Sequence, residues 1–212
     1  MSDNLKLLSD NADMDLTRYV NTFGYAMQQR HGEKVHKVSI NAEFTCPNRD
    51  GTKGIGGCTF CNNSSFNPNA QQTPGVCEQV TAGKKVIRKR TGAQKYLAYF
   101  QAYTNTYAEI STLKELYDEA LAIDKVIGLS IGTRPDCVPD KVLDLLADYR
   151  DQGHEVWLEL GLQSTSDKVL QGVNRGHGLG EYVDAVARVQ QRELQYCTHL
   201  IAGLPGESIQ AT

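Results

Sequence analysis

The chain alternates extended apolar segments with amphipathic helical patterns, and no other feature narrows its fold as far. Strands are read in KVHKVSIN, KYLAYFQ, VIGLSIG, VWLELGL and YCTHLIAG. A first helix is predicted over Leu16–Gln29, ending at Gly32, with further helices near Val76–Arg90, Glu109–Ile123, Asp140–Asp151 and Gly180–Arg192. Pro74 and Pro139 are placed in first helical turns, where a residue without an N–H is tolerated. Strands separated by helices predict an α/β fold with a parallel sheet and right-handed crossovers, either open or part of a barrel. In such folds the functional groups gather at the C-terminal ends of the strands. The chain stops at GESIQAT, just after the fifth strand, so at least one barrel strand is expected to be missing. The expected organisation is a polar, flexible segment over 1–14 and a single domain over 15–212, incomplete at its C-terminus.

A chain of 212 residues can bury a sizeable core. Its net charge of -3 gives no general basic footprint for nucleic acid. The local exception is KKVIRKR, with Lys84, Lys85, Arg88, Lys89 and Arg90, which reads first as a solvated helix face and second as an RNA-phosphate patch. No apolar stretch approaches the roughly 20 residues that span a bilayer, and the polar N-terminus lacks the apolar core of a signal peptide. A cytoplasmic protein is expected, in which the six cysteines serve as metal ligands or buried small side chains rather than disulfides.

Three of those cysteines, Cys46, Cys58 and Cys61, form a C-x11-C-x2-C constellation in TCPNRDGTKGIGGCTFC, a loop that follows the first predicted strand. Four glycines in the loop let the backbone wrap around a metal centre. An iron–sulfur cluster short of one protein ligand would keep an iron open to another molecule. Zinc would take a fourth ligand, for which Cys77 is available. Val76, Val80 and Ile87 nevertheless suggest that Cys77 is a buried, inert member of a helix stripe, and Cys137 and Cys197 read as core residues. Spacing alone leaves cluster and zinc nearly balanced.

The sequence resembles the radical SAM enzymes, and in detail their YhcC-type family, a sister group to the elongator catalytic subunit. The resemblance runs from about Tyr19 to the last residues. It is carried by VHKVSINAEFTCPNRDGTKGIGGCTFC, YLAYFQAYTNTYAE, GLSIGTRPDCVPD, VWLELGLQS, NRGH and HLIAGLPGE. It implies a partial (β/α)6 barrel of the TIM-barrel-like radical SAM type. It also implies that Cys46, Cys58 and Cys61 hold a [4Fe–4S] cluster whose fourth iron is chelated by S-adenosylmethionine. One electron, from a donor such as flavodoxin or ferredoxin, would then cleave S-adenosylmethionine to a 5′-deoxyadenosyl radical that abstracts hydrogen from a substrate. An RNA or ribosomal substrate is implied only by analogy with elongator and tRNA-modifying relatives.

The same resemblance assigns roles to matching positions. Phe60 takes the aromatic position that contacts adenine. Thr104 matches the turn after strand two that binds the methionine amino group, although the glycines of that turn are replaced here by Ala102 and Tyr103. An acidic residue of coproporphyrinogen-dehydrogenase-like relatives aligns with Gly132, and Arg134 and Asp136 are the neighbouring candidates to replace it. Gln163 and Arg175 lie twelve apart, as do the relatives' Gln and Arg, which implies an amide on a ribose hydroxyl and a guanidinium forked onto a carboxylate. His199 stands where relatives carry an acidic ribose or adenine contact. Glu159 reads equally as a ligand-facing carboxylate or as the polar member of an alternating strand, and the tyrosines at 96, 99, 103 and 107 read as packing. Without the resemblance, the alternative is a zinc-stabilised binding module with no redox chemistry.

Overall fold

The computed structural model describes residues 19–62 and 74–208; the segment 1–14 and the predicted helix start at Leu16 lie outside them. The elements are α1 (Phe23–His31), β1 (Val35–Ile40), α2 (Val76–Thr91), β2 (Lys95–Phe100), α3 (Ile110–Leu121), β3 (Val126–Thr133), α4 (Asp140–Asp151), β4 (Glu155–Gln163), α5 (Asp167–Gly172), α6 (Leu179–Gln191) and β5 (Gln195–Leu200), with a 3-10 turn at Pro135–Cys137. Every predicted strand is present. The five lie in one open sheet, all parallel, in the order of the sequence.

The first helix departs from expectation. Residues 19–22 are not helical, and α1 begins at Phe23 because the Thr22 hydroxyl accepts the Tyr25 N–H at 3.3 Å. The chain leaves α1 through Gly32 at φ 70°, as read. Pro139 is the N-cap of α4, and Pro74 precedes Gly75, the N-cap of α2, so neither proline occupies the first helical turn itself. The α5 turn was not read from sequence: six residues are too few to show a period, and Ser166 starts it by capping Val169 N–H.

Alternate residues of each strand face opposite sides of the sheet. One side carries the main core, where Val38 and Ile40 of β1, Ala98 and Phe100 of β2, Leu129 and Ile131 of β3 and Leu158 and Leu160 of β4 are buried under the helices. The other side is closed at the N-terminal ends of the strands by α1, whose Met27 packs with Val35, Leu97, Phe23 and Trp157. At the opposite end the strands open into loops. Fully buried Tyr117 of α3 reaches one of them, donating to Asn105 O at 2.6 Å, while Asn105 donates its amide to Gly132 O at 2.7 Å. These bonds fix the connection after β2 against the end of β3.

The basic run lies on α2, with Arg88, Lys89 and Arg90 in its last turn, where cations suit the helix dipole. Each crossover helix returns the chain to the start of the next strand, so this turn sits at the far end of the sheet from the opening. The solvated-face reading therefore has a structural reason.

Candidate functional site

A cavity of about 550 Å³ opens at the C-terminal ends of the strands. Its wall includes the seven residues expected to hold cluster and cofactor, Cys46, Cys58, Cys61, Phe60, Thr104, Gln163 and Arg175, together with Arg134, Glu159 and His199, but not Asp136. They come from the loop after β1, the loop after β2, the end of β4 and the segment after α5.

Short-range bonds shape the cysteine loop. Arg49 N–H and Asp50 N–H both return to Cys46 O, at 2.8 and 3.1 Å, and Cys61 N–H returns to Cys58 O at 3.0 Å. An isolated antiparallel bridge joins Asp50 to Ile55. The loop is then pinned to the NRGH segment. Asn48 donates to Asn174 O at 2.5 Å, Asn174 donates to Gly57 O at 2.8 Å, and Thr59 N–H bonds Val173 O at 3.0 Å. Gly176, at φ 71°, passes so close that an added Cβ would lie 2.7 Å from Asn48 Oδ1. A side chain there would meet both strain and a clash.

Cys58 is buried and receives two donors, Arg175 Nη1 at 3.5 Å and Asn48 Nδ2 at 3.6 Å. Hydrogen bonds to sulfur tune a ligated cluster. Arg175 also donates Nη2 to Gly161 O, whereas its Nε is buried with no partner. Thr104 Oγ1 is likewise buried and unpartnered. A buried donor or acceptor left unmade costs about 1–3 kcal/mol, so orphaned groups lining a cavity mark where a polar ligand belongs. Phe60 packs with Val169, Val173, Leu204 and Ile201, giving the same cavity one apolar wall.

Tyr103 adopts φ 68° even with its side chain, and its ring lies 6.0 Å from the Arg49 guanidinium. Gln163 adopts φ 78° at a register shift where β4 leaves β5. Left-handed non-glycine residues each cost about 1–3 kcal/mol and concentrate at functional sites.

Arg134 is buried and forks onto Asp136 with two 2.9 Å bonds, while its Nη1 donates to Arg175 O at 2.9 Å. Lys53 of the cysteine loop adds a third contact to Asp136 at 2.6 Å. Burial opposes ionisation of Asp136, but the hydrogen bonds and charge of Arg134, joined by Lys53, hold its pKa down at about 2. The Arg134–Asp136 pair therefore ties three loops together. His177 beside them is pushed down to about 4, first by burial and then by the Arg175 charge, so it is a neutral ring at pH 7.

Several readings from sequence need correction. Cys77 is exposed on α2 and is absent from the cavity wall; Val76 and Val80 turn inward instead. Cys197 is exposed, whereas Cys137 is buried as expected. Among the described residues, no group of three or more His, Cys, Asp or Glu is placed to hold a single metal ion. Cys46, Cys58 and Cys61 all stand on the wall of the one cavity. Asn48 and Asn174 were missed from sequence. Asparagine in a glycine-rich loop reads as turn chemistry, and only the fold shows these amides clamping one loop to another.

The sequence matches the radical SAM superfamily over residues 46–211. The chain belongs to that superfamily. It is 52% identical to protein YhcC of Escherichia coli (strain K12) over 194 residues, covering 92% of this chain and 62% of YhcC. It is 40% identical to YtqA of Bacillus subtilis (strain 168) over 187 residues, covering 88% of this chain and 58% of YtqA. The chain thus spans about three fifths of the length of these curated relatives. The fold resembles that of the archaeal Elp3 from Methanocaldococcus infernus (TM-score 0.55, 21% identity, 84% of this chain and 40% of that one). It also resembles coproporphyrinogen III oxidase (HemN) from Escherichia coli, a radical SAM enzyme (TM-score 0.51, 16% identity, 94% and 48%). These likenesses show the fold alone, an open parallel sheet of the partial-barrel kind. No helix among the described residues is long and apolar enough to cross a membrane.

Proposed function

We propose that the chain carries the cofactor-binding half of a radical SAM enzyme. Cys46, Cys58 and Cys61 would hold a [4Fe–4S] cluster, and Phe60, Thr104, Gln163 and Arg175 would contact S-adenosylmethionine. The observation that carries this reading is the pair of orphaned buried groups, Arg175 Nε and Thr104 Oγ1, on the wall that also presents the three cysteines. Held by these residues and reduced by a donor such as flavodoxin or ferredoxin, such a cluster would supply the electron for cleaving S-adenosylmethionine to methionine and a 5′-deoxyadenosyl radical, the species for hydrogen abstraction from a substrate. The chain's own residues bind and orient. The Arg175 guanidinium balances a carboxylate, Thr104 offers a hydroxyl partner to the methionine end, Gln163 offers an amide to ribose, and the Phe60 patch excludes water from the adenine side.

An RNA substrate has support only from relatives. The tRNA uridine(34) acetyltransferase of Methanocaldococcus infernus is 29% identical over 86 residues, 41% of this chain and 15% of that protein. The deciding experiment is anaerobic reconstitution with iron and sulfide, followed by dithionite and S-adenosylmethionine. Brown protein forming 5′-deoxyadenosine is the expected result; a colourless protein holding one zinc and forming none would sink the reading.

Two variants test the cofactor contacts. Arg175→Ala is expected to lower S-adenosylmethionine affinity by roughly tenfold to a hundredfold, the worth of a charge-assisted bond, while iron content holds in the same preparation. Unchanged affinity by calorimetry would remove Arg175 from the site. Gly161→Ala places a Cβ 2.7 Å from Gln163 Nε2 and 2.8 Å from Arg175 Nη2, both ends of flexible side chains. Its Tm is expected to move little, and its S-adenosylmethionine affinity to fall, because both side chains must turn aside to admit the methyl group.

A further inference from the structure

The cavity-facing side of the sheet changes character within two residues on three strands. Val35, Leu97 and Trp157 belong to the apolar cluster that closes the lower end. Two positions along the same strands, and so on the same face, stand Lys37, Tyr99 and Glu159. Glu159 is only 2% exposed. Its Oε1 accepts from Lys37 Nζ and Ser130 Oγ, and its Oε2 pairs with His199 Nε2 at 2.9 Å. Lys37 Nζ also lies over the rings of Phe23 and Tyr99, at 4.6 and 4.8 Å. Apolar filling works one layer below, and a buried ion pair is often less stabilising than an apolar group of the same volume. Packing alone therefore does not account for this layer.

The consequence falls on His199. A carboxylate can only accept, so the ring nitrogen facing Glu159, Nε2, carries the proton. In the neutral ring Nδ1 is then the acceptor; the His199 side chain is 44% exposed, and Glu159 is its ion-pair partner among the described residues. His199, Glu159 and Tyr99 all line the cavity. Burial opposes ionisation of Glu159, but hydrogen bonds from His199, Lys37 and Ser130 hold it ionised, so it remains an acceptor for the ring at neutral pH.

We propose that Glu159 is a positioning residue that fixes the tautomer of His199, and that His199 Nδ1 is a substrate-side contact for a ligand O–H or N–H on the floor of the cavity. The class of substrate this selects is one bearing a hydroxyl or amide donor beside the carbon that reacts. The inference rests on the radical SAM reading for the word substrate, but its geometry is this chain's own.

Three measurements test it. Histidine-selective ¹⁵N NMR of the reconstituted protein is expected to show His199 with Nε2 protonated and Nδ1 bare, and Glu159→Leu is expected to populate both tautomers. A protonated Nδ1 in the neutral wild-type ring, or an unchanged tautomer in Glu159→Leu, overturns the positioning role. S-adenosylmethionine affinity of His199→Ala is expected to stay within about twofold of wild type; a tenfold or greater loss makes His199 a cofactor contact and overturns the substrate-side assignment. Finally, cells deleted for the gene are complemented with the wild-type or His199→Ala gene, and their RNA nucleosides and metabolites are profiled by mass spectrometry. The variant is expected to keep the deletion profile wherever wild type corrects it, and full correction by the variant overturns the proposal. If the wild-type protein forms no 5′-deoxyadenosine, the radical reading fails, while the tautomer result is still read independently.

Discussion

Cys61→Ala is expected to yield a protein that keeps no four-iron cluster after anaerobic reconstitution and forms no 5′-deoxyadenosine, while Cys77→Ala keeps both. The difference follows from position. Cys61 closes the turn that begins at Cys58 and stands on the cavity wall with Cys46 and Cys58. Cys77 is exposed on α2, with its backbone N–H bonded to Glu119 on α3 at 2.8 Å. Among the described residues the cysteines on the cavity wall are Cys46, Cys58 and Cys61, so Cys77 is not placed to replace Cys61 as a ligand. Iron and sulfide analysis with the visible absorption spectrum of both variants provides the check. Loss of iron from Cys77→Ala would instead reveal a four-cysteine site and reopen the zinc alternative.

Arg134→Met is expected to cost about 3–5 kcal/mol of stability at pH 7, the usual range for leaving a buried charge unpaired. Arg134 and Asp136 are 2% and 3% exposed at their side chains, and the remaining partner of Asp136, Lys53, is 41% exposed and holds its charge in water. The pH dependence gives the test its sign. The Asp136 pKa is about 2 in the fold against 3.8 as the ordinary value. Its contribution is therefore fully present above about pH 4 and is lost as pH falls toward 2. Denaturation of wild type and variant across pH 7 to 2 should show the gap between them shrinking in acid. A constant gap would mean that Arg134 acts through packing or through its bond to Arg175 O instead.

Much of the architecture was legible because it depends on local periodicity. Each of the five strands announced itself as a short apolar run, and the helix expected near Asp140–Asp151 is α4, since Val142, Leu143, Leu145, Leu146 and Tyr149 keep helical spacing. What failed had a physical reason each time. The helix α1 starts later than expected, at Phe23, because Thr22 caps it through its hydroxyl. Cys77 was read as core because it adjoins Val76, but neighbours on a helix point about 100° apart.

The site divides along the same line. Sequence determined which chemistry is available: three cysteines at C-x11-C-x2-C, an aromatic before the last of them, and Gln163 and Arg175 twelve apart. These are covalent facts of spacing and residue type. Tertiary structure decided what that chemistry faces. Asn48 lies ten residues from Cys58 in sequence but donates to its sulfur, and Arg175 does so across a separation of 117. Lys37 and Glu159, on strands that do not pair, meet 122 residues apart because a twisted parallel sheet curves its inner face upon itself. Such meetings leave no local period in the chain. The orphaned Arg175 Nε and Thr104 Oγ1 exist only once neighbours have been assigned, because whether a buried polar group is satisfied depends on everything the fold places around it.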